Sequence, residues 1–286
     1  MEMSKIKEKK FDWFGLRDIL SEHKGKRKQI TLLAVNELKK KYKGAALGPM
    51  WALIKPSFTL FILWFAFEIG LKRNGGVHFI SGKYPQFIFM LTGYVPWFYI
   101  SECIIGGSRS IRNNKQFVTK LSFPVSNIMT FTSLSGLYIH FILCIIMYVA
   151  LVCFGYGPSI YNLQFIYYCA MMYLFFLFLS WATAPLSAFS KDFENLINSI
   201  ITGLFWLSGI FWNTYDIKPV WLQRLMYFNP INYFVNGYRK SFLTNTFIFD
   251  RNYTTETIVF YAELVLMIFI GAHTYKKFRK ILPDVL

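Results

Sequence analysis

Residues 50–71 read MWALIKPSFTLFILWFAFEIGL, a stretch of 22 residues with only two charged side chains, Lys55 and Glu68. At 1.5 Å per residue, a helix of this length extends about 33 Å, which is enough to cross a hydrocarbon core of about 30 Å. Its apolar residues form a continuous block rather than the single stripe of a half-buried helix. The stretch therefore predicts a membrane span.

Five further apolar blocks follow, so the sequence predicts an all-α membrane protein with six transmembrane helices. The composition agrees, because charged residues make up only 16% of the chain and hydrophobic residues 55%, whereas soluble domains are roughly a quarter charged. The predicted spans are Met50–Leu71, Pro85–Gly106, Asn127–Phe154, Leu163–Phe189, Glu194–Trp212 and Glu256–Tyr275.

The basic residues predict the orientation of these spans. With the N-terminus inside, the inner segments hold 22 Lys and Arg residues and the outer segments eight. Because cytoplasmic loops are rich in Lys and Arg, we expect both termini in the cytoplasm. The predicted domains are a cytoplasmic and interfacial region (1–49), a transmembrane domain (50–275) and a cytoplasmic tail (276–286).

The N-terminal region predicts an amphipathic helix that lies in the membrane interface. Phe11, Trp13, Phe14 and the apolar residues up to Leu20 alternate with charges, as in such helices. A second helical stretch is expected from about Arg27 to Lys43. Residues 1–10 are charged and no apolar signal region follows them, so we expect no cleavable signal peptide.

Two apolar segments between spans five and six are too short to cross a membrane. Val220–Phe228 and Ile231–Phe242 hold nine and twelve residues, and twelve helical residues extend only about 18 Å. Such pieces are re-entrant or interfacial half-helices, and at depth they pack on protein or line a wet cavity. They predict a pore mouth on the outer side.

Several classes of function are excluded. The net charge of +16 does not indicate nucleic-acid binding, because Lys and Arg lie between apolar blocks, next to lipid headgroups. The sequence contains no GxxxxGK[ST], GxGxxG or HExxH motif. The scattered cysteines predict neither a disulfide framework nor a zinc site. We expect no catalytic residue, metal or cofactor in this chain.

Ionisable residues inside the spans do not form a path for proton-coupled transport. Glu68, Glu102 and Glu263 lie near predicted span ends, where a charge costs less than at the midplane. His140 lies inside the third span. We expect it to be hydrogen-bonded between helices, a proton relay being the alternative.

Aromatic and basic side chains indicate a path for a phosphate-bearing glycan. Sugar rings stack on aromatic faces and their hydroxyls bind Tyr, Ser and Trp N–H groups, while interfacial aromatic belts are the alternative explanation. Lysine offers phosphate a point charge. For the basic run Lys39–Lys43, the alternative explanation is that its charges only set the membrane topology. The candidate channel-lining residues are Trp51, Phe58, Phe61, Trp64, Phe65, Ser199, Thr202 and Trp206, and the candidate phosphate-attracting residues are Lys39, Lys40, Lys41, Lys43 and Lys55.

Five groups of motifs follow one another along residues 30–245. They are Glu37 to Gly44 with Leu47-Gly48-Pro49-Met50-Trp51 and Pro56, Gly93 to Tyr99, Asn113 to Lys120 with Phe123-Pro124, Lys191 to Asn195, and Asn229-Pro230-Ile231 through Asn236-Gly237-Tyr238-Arg239. In this order they resemble the motifs of ABC-2 type polysaccharide export permeases. Within that family the chain is most similar to the teichoic acid translocation permeases of Gram-positive bacteria, although capsule and O-antigen permeases share most motifs. Lys55 departs from the family, which more usually has an uncharged residue there; it is either a phosphate contact or a snorkelling lysine.

The resemblance implies a homodimer that works with two copies of a separate ABC ATP-binding subunit, which holds ATP and Mg. It also implies a channel lined by spans one and five, a coupling helix between spans two and three, and an outer gate formed by the half-helices. The candidate coupling residues are Asn113, Asn114, Phe117, Val118, Lys120, Leu121 and Phe123, and the candidate gate residues are Asn229, Pro230, Tyr233 and Arg239.

The coupling loop, 107–126, carries a short apolar pattern of its own. Its spacing places Phe117, Val118 and Leu121 on one face of a helix that Phe123-Pro124 ends. A free apolar face in the cytoplasm predicts a partner groove on the ATPase. Packing against the chain's own N-terminal helix is the alternative.

The predicted function is export of a lipid-linked teichoic acid, or a related cell-surface polysaccharide, across a bacterial cytoplasmic membrane. The resemblance implies an undecaprenyl-pyrophosphate carrier. The alternatives are an O-antigen or capsule permease, an ABC-2 exporter of lipids or drugs, and a membrane-embedded glycosyl- or acyltransferase. The last would need an acid–base or nucleophile constellation in one cavity, and the sequence shows none.

Overall fold

The computed structural model describes residues 15–71, 75–120 and 123–286, and its regular structure is almost entirely helical. One hairpin of two short strands accompanies the helices in this part of the chain. The elements are α1 (Leu16–His23), α2 (Arg27–Lys41), α3 (Trp51–Trp64), β1 (Val77–Phe79), β2 (Gly82–Tyr84), α4 (Gln86–Asn113), α5 (Lys115–Thr119), α6 (Ser126–Cys153), α7 (Gln164–Phe189), α8 (Lys191–Leu207), α9 (Val220–Leu225), α10 (Pro230–Leu243), α11 (Thr254–Phe278) and α12 (Leu282–Val285).

Among the described residues, five helical segments are long and apolar enough to cross a membrane, which confirms the predicted all-α membrane class. A π-helical end, Phe65–Gly70, extends the first of them beyond α3. The five segments are Gly48–Gly70, Gln86–Asn113, Ser126–Cys153, Ile160–Phe189 and Arg251–Phe278.

The predicted fifth span corresponds to α8, which has 17 residues and ends at Leu207. A helix of that length extends about 25 Å. The chain then turns at Gly209, whose φ of 58° is left-handed, so the helix stops short of the expected Trp212. The total of six spans therefore stays a prediction.

The centre of the bundle is α4, which packs against α3, α6, α7, α8 and α10. It is the most deeply buried of the five span-length segments, and the segment that contains α3 is the least buried. Small residues permit close helix approach: a Cβ at Gly107 would lie 2.1 Å from the Ser180 hydroxyl of α7. The helices α3 and α8 each pack on α4 with one face. The described chain leaves the remaining faces of α3 and α8 uncovered.

Two short helices lie between α8 and α11, as the sequence predicts. The helix α9 continues through a 3₁₀ turn to Phe228. The Asn229 side chain then caps α10 by accepting a bond from the Ile231 amide, with Pro230 at the first helical position. All residues of α10 from Ile231 to Leu243 are buried, which agrees with the expectation that a half-helix at depth packs on protein.

The β1–β2 hairpin, which the sequence analysis did not predict, covers the same end of the bundle. Its strands pair Val77 with Tyr84 and Phe79 with Gly82. The Phe79 and Tyr84 side chains are buried, and the Tyr84 hydroxyl donates to the carbonyl oxygen of Leu243. The hairpin is therefore attached to the end of α10.

The helices α1 and α2 pack on α6, and α1 also contacts α11. The His23 imidazole joins α1 to α6 through a 2.7 Å hydrogen bond with the Thr130 hydroxyl. Ile19 is fully buried while Arg17 is exposed, so α1 has an apolar face and a polar face as expected. Phe11, Trp13 and Phe14 lie outside the described residues.

Candidate translocation site

A cavity of about 670 Å³ lies where α2, α3, α4, α6 and α8 approach one another. Serine, threonine and asparagine side chains contribute to its wall, and its charged residues are mostly cationic. We call it the basic cavity. Its charged lining residues are Lys40, Lys41, Lys55, Arg109, Glu37 and Glu102.

The two cavity lysines of α2 are bound to α4. Lys41 forms an ion pair with Glu102, and the Lys40 ammonium donates to the Asn114 Oδ1 atom at 3.2 Å. These bonds connect helices far apart in sequence and hold two cations at the edge of the cavity. Both lysine side chains remain about half exposed, so each bond contributes little to stability.

Arg109 is neutralised on the opposite side of the cavity. Its Nε atom lies 2.6 Å from the Glu194 Oε1 atom of α8, and its Nη2 atom donates to the Asn198 side chain at 3.1 Å. Lys55 differs, because its ammonium forms no ion pair or hydrogen bond with a described residue. It is therefore the cation of the cavity that is most available to an anionic ligand.

An aromatic pocket of about 550 Å³ adjoins the basic cavity and shares Lys41, Lys55 and Glu102 with it. Trp51 and Phe58 of α3 line this pocket. Positions 51, 55 and 58 follow the spacing of one helix face, which explains why a lysine stands between two aromatic rings. The structure thus brings together part of the predicted aromatic path and part of the predicted phosphate site.

Tyr42 also lines the aromatic pocket, at the end of α2. Burial raises the pKa of its phenol, and the neighbouring Lys41 partly opposes this shift. The hydroxyl therefore stays protonated at neutral pH and remains a hydrogen-bond donor. Phenol, indole and ammonium donors meet at this point, which suits a ligand rich in hydroxyl and phosphate oxygens.

The other predicted aromatic residues of α3 lie farther along the helix. Phe61 and Trp64 line a smaller cavity of about 310 Å³, and the Trp64 ring packs edge-on against Phe87, with centroids 6.4 Å apart. Phe65 is half exposed. These residues do not reach the basic cavity.

The predicted channel residues of α8 lie on its exposed face. Ser199 and Thr202 are exposed, and their hydroxyls donate to carbonyl oxygens of their own helix. Trp206 is half exposed and packs against Phe211, with ring centroids 5.3 Å apart. Only Asn198 of this helix lines the basic cavity, so their role as channel lining stays a prediction.

The basic run divides into two groups. Lys40 and Lys41 line the cavity, whereas Lys39 and Lys43 are exposed and do not line it. The sequence analysis missed Arg109, although the separation of seven residues between Glu102 and Arg109 places both on one face of a helix. That spacing was the available signal.

The apolar residues of the coupling loop are packed against the chain itself, whereas a free apolar face was expected. Val118 and Phe123 are buried, and the half-buried Phe117 ring packs 5.8 Å from Phe131 of α6. These residues belong to a core cluster that also includes Ile19 of α1. The expectation of a free apolar face is therefore wrong for these residues, because the chain covers them itself.

The remaining coupling residues are polar or lie outside the described part. Asn114 is buried and its amide donates to the Ser110 carbonyl oxygen, while Asn113 and Lys120 are exposed. Leu121 lies outside the described residues. A coupling role for this loop stays a prediction, and its accessible surface is polar and basic.

The four predicted gate residues belong to the junction and the body of α10. Asn229 and Pro230 form its capped start, and the Tyr233 ring stacks on Phe260 with centroids 4.2 Å apart. Arg239 is fully buried, and its guanidinium donates to the carbonyl oxygens of Gly209 and Ile210 at 2.8 and 2.7 Å. Their gating role stays a prediction, but Arg239 offers no exposed surface to a ligand in this conformation.

This bundle of apolar helices around a basic cavity defines a polytopic membrane protein suited to transport. Residues 28–243 match the ABC-2 type transporter family, and the chain belongs to that family. Its members are membrane subunits of transporters and do not themselves carry out catalysis.

Similar proteins include permeases whose names specify O-antigen export. The chain is 24% identical to the O-antigen export system permease protein RfbA of Myxococcus xanthus over 213 residues, which cover 73% of this chain and 78% of that protein. It is also 24% identical to a protein of the same name from Klebsiella pneumoniae over 266 residues, covering 90% and 94% of the two chains.

Proposed function

We propose that this chain is the permease subunit of a bacterial exporter that moves a lipid-linked teichoic acid, or a related cell-surface polysaccharide, across the cytoplasmic membrane. The observation that carries the proposal is the shared wall of the basic cavity and the aromatic pocket, where Lys41 and Lys55 lie beside Trp51 and Phe58. Aromatic rings next to cations suit a chain of sugars and phosphates.

The charges at this site favour an anionic polymer or carrier. Among the cations of the basic cavity, Lys41, Lys40 and Arg109 have acidic or amide partners, while Lys55 has none among the described residues. A phosphate that reaches Lys55 gains a direct charge interaction without breaking an existing ion pair. The position of Lys55 between two rings allows sugar and phosphate to bind together.

The driving force is proposed to come from a separate ABC ATP-binding subunit, and two copies of each subunit are proposed to assemble. Membership of the ABC-2 family supports such a partner. The uncovered faces of α3 and α8, which carry Phe58, Phe61, Ser199 and Trp206, support a second copy of the chain. Two such faces would enclose a path that one copy leaves open to lipid. Both termini are proposed to lie in the cytoplasm.

Export of an O-antigen polysaccharide is the second candidate, and the names of the similar proteins favour it. Teichoic acids carry phosphate in every repeat, whereas many O-antigens carry it only at the lipid carrier. The two candidates therefore differ in how many phosphates pass Lys55. A cation that contacts phosphate should therefore matter throughout transport of a teichoic acid. For such an O-antigen it should matter only at the start of transport.

The test uses the permease and its ATPase reconstituted together in proteoliposomes. Lipid-linked teichoic acid and a lipid-linked neutral polysaccharide of similar length are supplied on the ATPase side, and polymer that crosses the membrane is measured. We expect ATP-dependent transfer of the teichoic acid. Transfer of the neutral polymer alone would favour the O-antigen candidate, transfer of lipids or drugs without polymer would indicate the other exporter class, and glycosyl or acyl transfer by this chain alone would overturn transport.

A matched pair of variants tests the site itself. Lys55→Ala removes the unpaired cation and is expected to reduce teichoic acid transfer about tenfold, as loss of about 1.4 kcal/mol of interaction implies. Lys43→Ala removes an exposed lysine outside the cavity and should leave transfer unchanged. Equal effects of the two variants would show that general surface charge, rather than the cavity, attracts the polymer.

A further inference from the structure

A second polar cavity, of about 340 Å³, lies at the opposite end of the bundle from the basic cavity, by the predicted topology. The β1–β2 hairpin, the turn after α8, the α9 segment and the start of α11 all contribute to its wall. We call it the outer pocket. The lining residues that matter for its chemistry are Tyr215, Asp216, Tyr227, Asn252, Tyr253 and Glu256.

Three tyrosine rings and several planar polar groups line this pocket. Tyr215 packs between Phe79 and Tyr253, whereas Tyr227 makes no ring contact with a described residue and offers its face to a sugar ring. Aromatic faces stack against the C–H faces of sugar rings, while carboxylates and amides bind the hydroxyl groups. Glu256 is a buried part of the lining. Its Oε2 atom accepts a bond from the Tyr215 hydroxyl at 3.1 Å, which fixes the carboxylate in the wall.

Several polar groups of the outer pocket have no partner within the described chain. The Asp216 carboxylate, the side-chain amide of Asn252 and the hydroxyls of Tyr227 and Tyr253 form no hydrogen bond or ion pair with a described residue. The Oε1 atom of Glu256 likewise has no such partner, because both bonds to this carboxylate involve Oε2. These groups include both acceptors and donors, and a sugar hydroxyl, which donates and accepts, can bond to either kind.

The ammonium group of Lys240 already occupies the part of the outer pocket that a cationic ligand would use. Lys240, which is buried behind the lining, lies 3.2 Å from Glu256 Oε2 and 3.6 Å from the centroid of the Tyr253 ring. An amine-bearing ligand would have to displace it. Lys240 also balances the charge of Glu256, and the other acidic lining residue, Asp216, disfavours a phosphate beside it.

The outer pocket continues towards the predicted channel. An adjoining cavity of about 380 Å³ shares His78, Asn213 and Asp216 with it and is also lined by Trp212. The Trp212 indole donates to the carbonyl oxygen of Trp206 at 3.1 Å. Aromatic surface therefore extends from the exposed face of α8 to the outer pocket.

We propose that the outer pocket binds an uncharged sugar unit and so receives the glycan part of the exported polymer as it leaves the membrane. Its outer location and its place in export rest on the proposed function, whereas its ligand class rests on the lining residues. The two ends of the permease would then differ in chemistry. The basic cavity attracts phosphate, and the outer pocket selects sugar rings without it.

The test measures binding of small probes to the full-length permease in nanodiscs by saturation-transfer NMR. Methyl glucoside and N-acetylglucosamine are the uncharged probes, and glucose 1-phosphate and tetramethylammonium are the charged ones. We expect saturation transfer to the ring protons of at least one uncharged probe that Tyr227→Ala weakens about tenfold, whereas binding of glucose 1-phosphate, which the basic cavity can also accept, should not change in Tyr227→Ala. Weaker binding of a charged probe but of neither uncharged sugar in Tyr227→Ala, or no binding of an uncharged sugar, would overturn the proposal.

Variants locate the binding within the molecule. Tyr227→Ala and Asp216→Asn should each weaken sugar binding about tenfold, while Tyr227→Phe, which keeps the ring, should retain most of it. Lys43→Ala, which removes an exposed lysine outside both cavities, should have no effect. Unchanged binding in both Tyr227→Ala and Asp216→Asn, with thermal unfolding like that of the unmodified chain, would place the sugar elsewhere.

The binding and export experiments distinguish failure of the outer-pocket proposal from failure of the proposed function. Sugar binding that depends on Tyr227 in a chain that exports no polymer with its ATPase would leave the pocket assigned and overturn the proposed function. Polymer export without sugar binding at this pocket would overturn the pocket alone. Thermal unfolding of each variant shows whether a loss of binding reflects loss of the fold.

Discussion

The Arg239 guanidinium stacks on the Phe89 ring, with its carbon atom 3.4 Å from the ring centroid. The same group donates to the carbonyl oxygens of Gly209 and Ile210, just after the end of α8. Arg239 thus joins α10, α4 and the turn after α8 through one buried cation. Its planar fork of donors suits several carbonyl oxygens at once, which the ammonium of lysine does not match.

Loss of this cation should destabilise the protein strongly. Arg239→Ala leaves buried carbonyl oxygens without a donor and opens a cavity, so we expect a cost on the order of 3 kcal/mol or more. Arg239→Lys should recover only part of this loss. Thermal unfolding of the detergent-purified chain measures the effect, with the exposed Arg224→Ala as the matched control.

The space for Arg239 depends on a glycine in α4. A Cβ at Gly93 would lie 2.6 Å from the Arg239 Nη2 atom and 3.1 Å from the Ile210 carbonyl oxygen. Gly93→Ala should therefore lower the unfolding temperature by displacing the guanidinium. The control is Gly203→Ala in α8, where a Cβ meets no atom within 4 Å; there alanine should be neutral or slightly stabilising because it favours the helix. Equal behaviour of the two variants would contradict the steric argument.

The interhelical hydrogen bond expected of His140 is present, and it supports a further prediction. The His140 Nε2 atom lies 2.6 Å from the Tyr238 hydroxyl and joins α6 to α10. His140→Ala and Tyr238→Phe should each destabilise the chain by about 1–3 kcal/mol, because each leaves a buried polar group unpaired. A double-mutant cycle should give a coupling energy of about 1 kcal/mol. Additive effects would show that the bond contributes nothing.

Local patterns in the sequence predict the features that depend on neighbouring residues. The apolar run of α3, the Asn229-Pro230 junction and the face that carries Trp51, Lys55 and Phe58 all follow from length, capping chemistry and helical spacing. The end of α8 is less predictable, because the left-handed turn at Gly209 is stabilised by the distant Arg239.

Contacts between distant segments explain the rest. Nothing in the periodicity pairs Lys41 with Glu102, and the packing of α2 on α6 brings Lys40 and Lys41 to the cavity while Lys39 and Lys43 stay outside it. The three-residue strands of the hairpin are too short to give an alternating pattern, so their pairing follows from the burial of Phe79 and Tyr84 under neighbouring elements.

Glu22 should anchor the N-terminal helix to the bundle. Its carboxylate accepts bonds from the Ser126 hydroxyl at 2.5 Å, the Tyr275 hydroxyl at 2.7 Å and Arg279 at 3.1 Å. It therefore connects α1 to the start of α6 and the end of α11, where its charge also suits the N-terminus of α6. Glu22→Ala should release α1.

Limited trypsin digestion measures that release, because Lys24 and Lys26 follow α1 directly. We expect cleavage there to accelerate several-fold in Glu22→Ala, while the span-length helices stay intact. The control is Glu37→Ala, since Glu37 forms only a long 3.8 Å pair with Lys40. Unchanged cleavage in Glu22→Ala would show that the apolar contacts of Ile19 hold α1 without the carboxylate.

The last prediction concerns the surface that α5 offers to an ATPase. Phe117 and Val118 face the chain's own core, with Phe117 packed 5.3 Å from the Phe123 ring. Lys115 and Lys120 are exposed and have no ion-pair partner among the described residues. If α5 couples the subunits, the ATPase should therefore contact its basic residues rather than its apolar ones.

Two kinds of substitution separate these roles. Lys115→Glu with Lys120→Glu should leave the permease folded and membrane-inserted, yet reduce co-purification of the ATPase at least tenfold, because opposite charges replace those that the partner meets. Phe117→Asp should instead lower the unfolding temperature, since it brings a carboxylate against Phe123 and Phe131. If Phe117→Asp keeps its stability but loses the ATPase, the apolar face opens to the partner and the basic surface is not the coupling element.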